Sequence, residues 1–255
     1  MWKEADKTYE IPLWEVNHSK ERLAIEQKSD WIAFRLGYQM EATSVDPSKT
    51  AYKHFSDEQY PDGNVTEMDF VSDSRVSLMM DFNKSPQTAA LGQRMGNTYI
   101  VFDEVVSDNA LTPEQGNNVA NRLSKWGISH VYLYGDNTSN QKAGKYGRTG
   151  RNDWEYIKEE LQKKGITFTS RLKKQNPKRK VRVDKVNTII YNIGTKERRL
   201  LIHNRCEWAI NDYLRAETND EGIKIDTGKI GHISDAIDYW IYECEIGGGA
   251  PTFIM

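Results

Sequence analysis

Val76-Ser77-Leu78-Met79-Met80-Asp81 is an apolar run of strand length that stops on a carboxylate. The pattern returns downstream as Val131-Tyr132-Leu133-Tyr134-Gly135-Asp136. Both runs are short and bounded by polar residues, so each reads as a buried strand. Between them, Thr88 to Gln93 reads as a second, weaker strand, and Met95-Gly96-Asn97 supplies a hairpin turn. Thr98 to Val106 is a third strand, rich in β-branched and aromatic residues. A helix follows, with Thr112 as its expected cap, Pro113 at its first position and Gln115 three residues after the cap. Val119, Leu123 and Trp126 give it an apolar face, and Gly127 closes it. His130 to Tyr134 is the fourth strand. Asp153 to Lys164 is a helix with Ile157 and Leu161 inward, and Ile166 to Thr169 is the fifth strand. The order strand, strand, strand, helix, strand, helix, strand predicts an α/β protein. Its mixed five-stranded sheet carries helices on its faces, with the first and fourth strands side by side.

Past the fifth strand, Val186, Ile189, Ile190 and Ile193 fall at helical spacing and predict a helix over Lys178 to Asn192. Arg199 to Ile202 suits a short strand and Trp208 to Leu214 a short helix. The last helix buries Ile233, Ile237, Trp240 and Ile241, and Gly247-Gly248-Gly249 ends regular structure. Upstream, residues 1–73 form an irregular, polar extension, poor in long periodic elements and expected to pack on the remainder, residues 74–255. Within it, Lys20 to Gln27 reads as a helix, Trp31, Phe34, Leu36 and Tyr38 as an alternating apolar stretch, and Asp46-Pro47-Ser48 and Tyr60-Pro61-Asp62-Gly63 as turns.

The chain has 255 residues, 38% hydrophobic and 28% charged, and seven Trp with thirteen Tyr supply much of the core volume. With a formal net charge of −2, any nucleic-acid footprint is local rather than global. Cys206 and Cys244 are the only cysteines, which excludes a disulfide framework and fits a reducing compartment. Met1-Trp2-Lys3-Glu4-Ala5-Asp6 has no apolar core of a signal peptide, and no apolar stretch approaches the roughly 20 residues that cross a bilayer. The expectation is a cytoplasmic protein with no membrane partner.

Asp81, Asp136 and Asp235 are the candidate metal ligands. A lone Asp after a strand ordinarily opens a turn. Here adjacent strands would bring two such residues together, and a helix laid across the sheet would supply the third. Close carboxylates repel, and divalent cations reverse that balance. An oxygen-only ligand set favours Mg²⁺ or Mn²⁺, one ion or two, the chemistry of metal-assisted phosphodiester cleavage. His232, three residues before Asp235, is a candidate proton shuttle. Asp238 is read as lying on a solvated face, and Asp235, between small Ser234 and Ala236, as the residue with room for metal. Glu104 reads as an edge-strand acid. Two basic stretches are candidate DNA-backbone contacts: Lys142, Lys145, Arg148 and Arg151 in the glycine-bearing loop after Asp136, and Lys173, Lys174, Lys178, Arg179 and Lys180 within the run from Arg171 to Lys185.

Met80-Asp81, Tyr134-Gly135-Asp136 and Gly231-His232-Ile233-Ser234-Asp235-Ala236-Ile237-Asp238-Tyr239 together resemble the C-terminal nuclease domain of the phage terminase large subunit. The last is similar to that family's His-x-x-Asp-Ala-x-x-Tyr helix. Asn176-Pro177, Arg182-Val183, Val186-Asn187 and Arg199 to Cys206 resemble the family's middle region, so the likeness runs from about Ser74 to the C-terminus. The resemblance implies an RNase H-like fold, with Asp81, Asp136 and Asp235 as the metal-binding triad and His232 as an accessory catalytic residue. It implies divalent-metal-dependent endonucleolytic cutting of concatemeric viral DNA in the host cytoplasm. The implied partners are double-stranded DNA, an ATPase motor chain, the small terminase subunit and the portal. Complete family proteins begin with an ATPase, and no Gly-x-x-x-x-Gly-Lys-Ser/Thr occurs here. Residues 31–55 resemble the segment joining motor to nuclease. A split-gene product or separate nuclease subunit is therefore expected, with no ATP hydrolysis of its own. Another RNase H-like phosphoryl transferase, such as a junction resolvase or transposase, and a non-catalytic docking module of the motor are the alternatives.

Overall fold

The structure, a computed structural model, describes residues 2–4, 7–9, 49–82, 85–136 and 151–247. The helix expected at Lys20 to Gln27, the alternating stretch Trp31 to Tyr38, and Lys142, Lys145 and Arg148 lie outside the described residues. The chain divides into two compact units, Met1–Thr50 and Ala51–Met255. In the first, β1 (Trp2–Glu4) and β2 (Lys7–Tyr9) pair antiparallel, Trp2 opposite Tyr9.

The second unit is built on a seven-stranded mixed sheet. Its strands are β3 (Val65–Thr66), β4 (Val76–Asp81), β5 (Gln87–Met95), β6 (Thr98–Ser107), β7 (His130–Gly135), β8 (Thr167–Ser170) and β9 (Leu200–His203). The spatial order is β3-β9-β6-β5-β4-β7-β8. β4, β5 and β6 form an antiparallel meander, while β7 and β8 on one side and β9 and β3 on the other add in parallel. The five expected strands are all present. The short strand expected at Arg199 to Ile202 is present as β9 beside β6, and β3, which was not expected, pairs with the other edge of β9, whose buried backbone groups need partners on both sides.

Alternation along the strands sorts the two faces. Leu78, Met80, Leu91 and Leu133 face α1 (Thr112–Lys125) and α2 (Asp153–Lys163), meeting Val119, Leu123, Trp154, Ile157 and Leu161. Met79, Ala90, Tyr99, Val101 and Ile202 face α3 (Arg179–Ile190), α4 (Glu207–Arg215) and α5 (His232–Ile246). The apolar stripe of α5, Ile233, Ile237, Trp240 and Ile241, is at most 2% exposed, and each such side chain contributes roughly 1.5–3 kcal/mol of hydrophobic burial. Gly92 makes this packing feasible, because a Cβ there would stand 2.8 Å from the Trp240 ring.

Residues 51–66 are part of this core. Ala51, Tyr52 and Phe55 are buried among α3, α4 and α5, and the Asn64 side chain donates to Ile190 O (3.0 Å) and Leu200 O (2.8 Å). No helix of the described residues is long and apolar enough to cross a membrane.

Two local expectations fail. Leu111, not Thr112, is the N-cap of α1, because the Thr112 hydroxyl donates to Asp153 (2.7 Å) and Gln115 donates to Val105 O (2.9 Å). The helix expected to reach Asn192 stops at Ile190, where the chain turns to bond Arg199 N to Ile189 O, leaving Ile193 69% exposed.

Candidate active site

Parallel pairing of β4 with β7 sets Met79 beside Tyr134 and Met80 beside Gly135, so Asp81 and Asp136 come next in register. By alternation both carboxylates fall on the face that α5 covers. Gly135 permits this geometry: its φ is +147°, and a Cβ would sit 2.2 Å from Met80 O. The backbone O of Asp136 accepts from Trp154 Nε1 (3.0 Å), and its side chain accepts from Asn176 Nδ2.

The third carboxylate arrives with α5, which begins beneath these strand ends. Buried Asp212 fixes that start by accepting from the backbone N–H of Gly231 and of Ser234 (2.8 Å), two of the donors a helix leaves open. His232 and Asp235 occupy the first turn, where negative charge suits the helix dipole. His232 Nδ1 stands 3.5 Å from Asp81 Oδ2. Burial raises the pKa of Asp81; the His232 contact opposes it, and the charges of Asp235 and Asp136 raise it further. Four residues predicted for the site, Asp81, Asp136, His232 and Asp235, are therefore in electrostatic contact. Burial alone would lower the pKa of His232, but the bond to Asp81 and the charges of Asp81 and Asp226 outweigh it, and the net direction is upward.

Asp235 does not lie in open space between small neighbours. It is 4% exposed and ion-paired with Arg182 (2.7 Å), Lys224 (2.9 Å) and Arg179 (3.0 Å). Burial would raise its pKa, yet Lys224, Arg182 and Arg179 hold it down at about 2. Lys224 is itself buried, donating to Ser234 Oγ (2.6 Å) and Gly231 O (2.7 Å). The Arg182 guanidinium carbon lies over the Tyr239 ring, 3.8 Å from its centroid. Nothing in the sequence marks Lys224, and Arg182 stands out only as one of a basic run and as part of the middle-region resemblance, neither of which assigns it to Asp235.

Asp238 is not on a solvated face. It is fully buried and accepts from Tyr52 Oη (2.6 Å) and Tyr213 Oη (2.9 Å), and burial pushes its pKa up to about 6. Glu104 is not an edge-strand acid either, since β6 is paired on both sides. It accepts from the backbone N–H of Trp208 (2.8 Å) and Ala209 (2.9 Å) at the start of α4, and burial raises its pKa to about 7.

The basic residues divide. Arg179 reaches the site, bridging Asp226 and Asp235 (3.1 and 3.0 Å). Lys173 pairs with Glu243 (3.1 Å) and Lys180 with Asp184 (3.8 Å), while Lys174 and Lys178 are exposed. Arg151 pairs with Glu159 (2.5 Å) beside α2.

The oxygen donors of Asp81 and Asp136, crowded on one face by like charge, fit a hard divalent cation. Asp235 is compensated by the protein's own cations instead, and among the described residues no three His, Cys, Asp or Glu side chains form a group ready to hold a metal ion.

No protein-family model and no curated sequence relative matches this chain. Solved structures do. The large terminase of the thermophilic bacteriophage D6E is similar with a TM-score of 0.53 at 13% identity, over 91% of this chain and 52% of that one. Its complex with ADP gives 0.54 at 14% identity, over 91% and 54%. The P22 large terminase nuclease domain gives 0.49 at 11% identity, over 72% and 88%. The chain spans about half the length of the D6E protein. The fold is thus terminase-like and RNase H-like, as the sequence resemblance implied.

Proposed function

We propose that this chain is a divalent-metal-dependent DNA endonuclease, the nuclease part of a phage packaging terminase that cuts concatemeric double-stranded DNA. The observation that supports the reading is the parallel register of β4 and β7, which sets Asp81 and Asp136 at adjacent strand ends, with His232 from the first turn of α5 standing 3.5 Å from Asp81. Asp81 and Asp136 would hold Mg²⁺ or Mn²⁺, with Asp235 completing the acidic site. When bound, such an ion supplies Lewis acidity toward a phosphoryl oxygen.

The chain's own residues do the rest. His232 Nδ1 can hold a proton against Asp81 Oδ2 and relay it to the departing oxygen. Arg182 and Lys224 keep Asp235 ionised and fixed in position. Arg179, partly exposed and turned onto Asp235, is the cation best placed to exchange that carboxylate for a phosphate. The packaging partners would be an ATPase motor, the small subunit and the portal. These 255 residues carry no Gly-x-x-x-x-Gly-Lys-Ser/Thr and, purified, would show no stoichiometric ATP hydrolysis.

Plasmid cleavage in Mn²⁺ tests this reading. Asp81→Ala and Asp136→Ala are expected to abolish cutting with unchanged melting temperature. Asp235→Asn, chosen to leave Arg182 and Lys224 a neutral acceptor, is expected to do the same at some cost in stability. Full cutting by any of the three would remove that residue from the site, and an inert wild type under all metal conditions would leave the docking-module alternative.

A further inference from the structure

A cleft of about 340 Å³ opens on the same face of the sheet as the carboxylates, between the C-terminal half of α5 and strands β4, β7 and β8. Ser77 lines it. Ser77 lies four residues before Asp81 on β4, so the two share a face at a separation of roughly 13 Å. The cleft carries Arg75, Arg94, Arg171 and Lys173 against one acid, Glu243. Glu243 is committed to Lys173 (3.1 Å), and Arg94 is tied down by Cys244 O (3.4 Å) and Glu245 (3.8 Å).

Arg75 and Arg171 are different. Both are exposed, and both guanidinium groups rest on one ring, Tyr132, at 5.4 and 5.5 Å from its centroid. The ring orients them by cation–π attraction, and among the described residues their N–H forks have no hydrogen-bond acceptor. Such forks match phosphate oxygens. The segment from β8 to α3 links this cleft to the carboxylates: Arg171 and Lys173 line the cleft, Asn176 bonds Asp136, and Arg179 pairs with Asp235, with exposed Lys174 and Lys178 between. A track of cations running from one place to the other suits a chain of phosphates better than a single anion.

We propose that the cleft is a second DNA contact, in which Arg75 and Arg171, propped by Tyr132, grip a backbone phosphate some four base-pair steps, at about 3.4 Å each, from the cutting site. The proposal rests on the nucleic-acid reading above for the nature of its ligand. It assigns no catalytic step to the cleft, whose work is to set the register of the duplex across the carboxylates.

Binding of a fluorescein-labelled 20-base-pair duplex, followed by anisotropy in EDTA at several salt concentrations, tests it without any cutting. Arg75→Ala/Arg171→Ala is expected to bind at least about tenfold more weakly at ~0.1 M salt, and to lower the slope of log K against log salt by about one, for the one phosphate no longer neutralised. Tyr132→Phe keeps the ring and should bind as wild type, whereas Tyr132→Leu should lose part of the effect. Lys125→Ala/Lys164→Ala removes equal charge beside α1 and α2, on the opposite face, and should cost less than about threefold. The proposal is overturned if the arginine pair loses no more than this control. It is also overturned if calorimetry shows inorganic phosphate binding through Arg75 and Arg171 while the duplex ignores them. A protein that fails to cut plasmid yet shows arginine-dependent duplex binding would sink the nuclease reading alone, and the reverse result would sink this one alone.

Discussion

Replacing Lys224 with Met is expected to destabilise the fold far more than the loss of one lysine ordinarily does. Its ammonium is buried and bonds Ser234 Oγ (2.6 Å), Gly231 O (2.7 Å) and Asp235 Oδ1 (2.9 Å). Met restores the volume of the stem but no donor. Removing one partner of a buried ion pair costs about 3–5 kcal/mol, because the other charge is left without compensation. Here Arg182 and Arg179 remain on Asp235, which places the loss near the lower end, about 3 kcal/mol. For a chain of this size that corresponds to a fall in Tm of about 6–12 °C. Urea unfolding gives the free energy directly and calorimetry the Tm. Lys224→Met/Asp235→Asn should cost less than the sum of the two single changes, since each single change removes the same ion pair, while Arg182 loses its carboxylate in both Asp235 variants. A Lys224→Met protein with the urea midpoint of wild type would refute the reasoning, and with it the view that Asp235 is held by this network.

Three further outcomes follow from the same geometry. Glu104 holds its proton to about pH 7 in the folded state, against about 4.5 when unfolded. The native state therefore binds more protons across that window, and stability should decline as pH rises through it, by up to about 3 kcal/mol. Glu104→Gln should flatten the decline in urea titrations between pH 4 and 8, and an equally steep profile would count against the assignment. Tyr52→Phe, which deletes a 2.6 Å hydrogen bond to buried Asp238, should cost about 1.5–3 kcal/mol in the same assay, with no loss counting against it. Gly135→Ala would force a Cβ to within 2.2 Å of Met80 O and should yield protein that is at least about 3 kcal/mol less stable or fails to accumulate; normal stability would contradict the backbone geometry at the β7 end.

Elements with strong periodicity were legible before any coordinates. β4 and β7 read as strands from their apolar runs, α1 from Val119 and Leu123, and α5 from Ile233, Ile237, Trp240 and Ile241, because burial of one face imposes its period on the sequence. The meeting of Asp81 with Asp136 was legible too, since parallel neighbours align their ends. What escaped was decided by partners distant in the chain. Asp238 looked solvated because its acceptor capacity is used by Tyr52 and Tyr213, neither on α5. Lys224 sits in a polar stretch with no period, and only the fold places Asp235 and Ser234 around it. β3 spans two residues, Val65 and Thr66, too few to show alternation. Thr112 has the chemistry of a cap, but Asp153, 41 residues on, claims its hydroxyl.

The incorporation of residues 51–66 into the core sets a lower limit on how far the gene can be trimmed. A product starting at Ser74 would lack Asn64, whose amide serves Ile190 O and Leu200 O, and Tyr52, whose hydroxyl serves Asp238. It would also strip β3 from β9, exposing a hydrophobic strand as a template for self-association. Such a fragment would carry Asp81, Asp136, His232 and Asp235 and still precipitate. An inactive preparation of it would therefore report on solubility, and say nothing about chemistry.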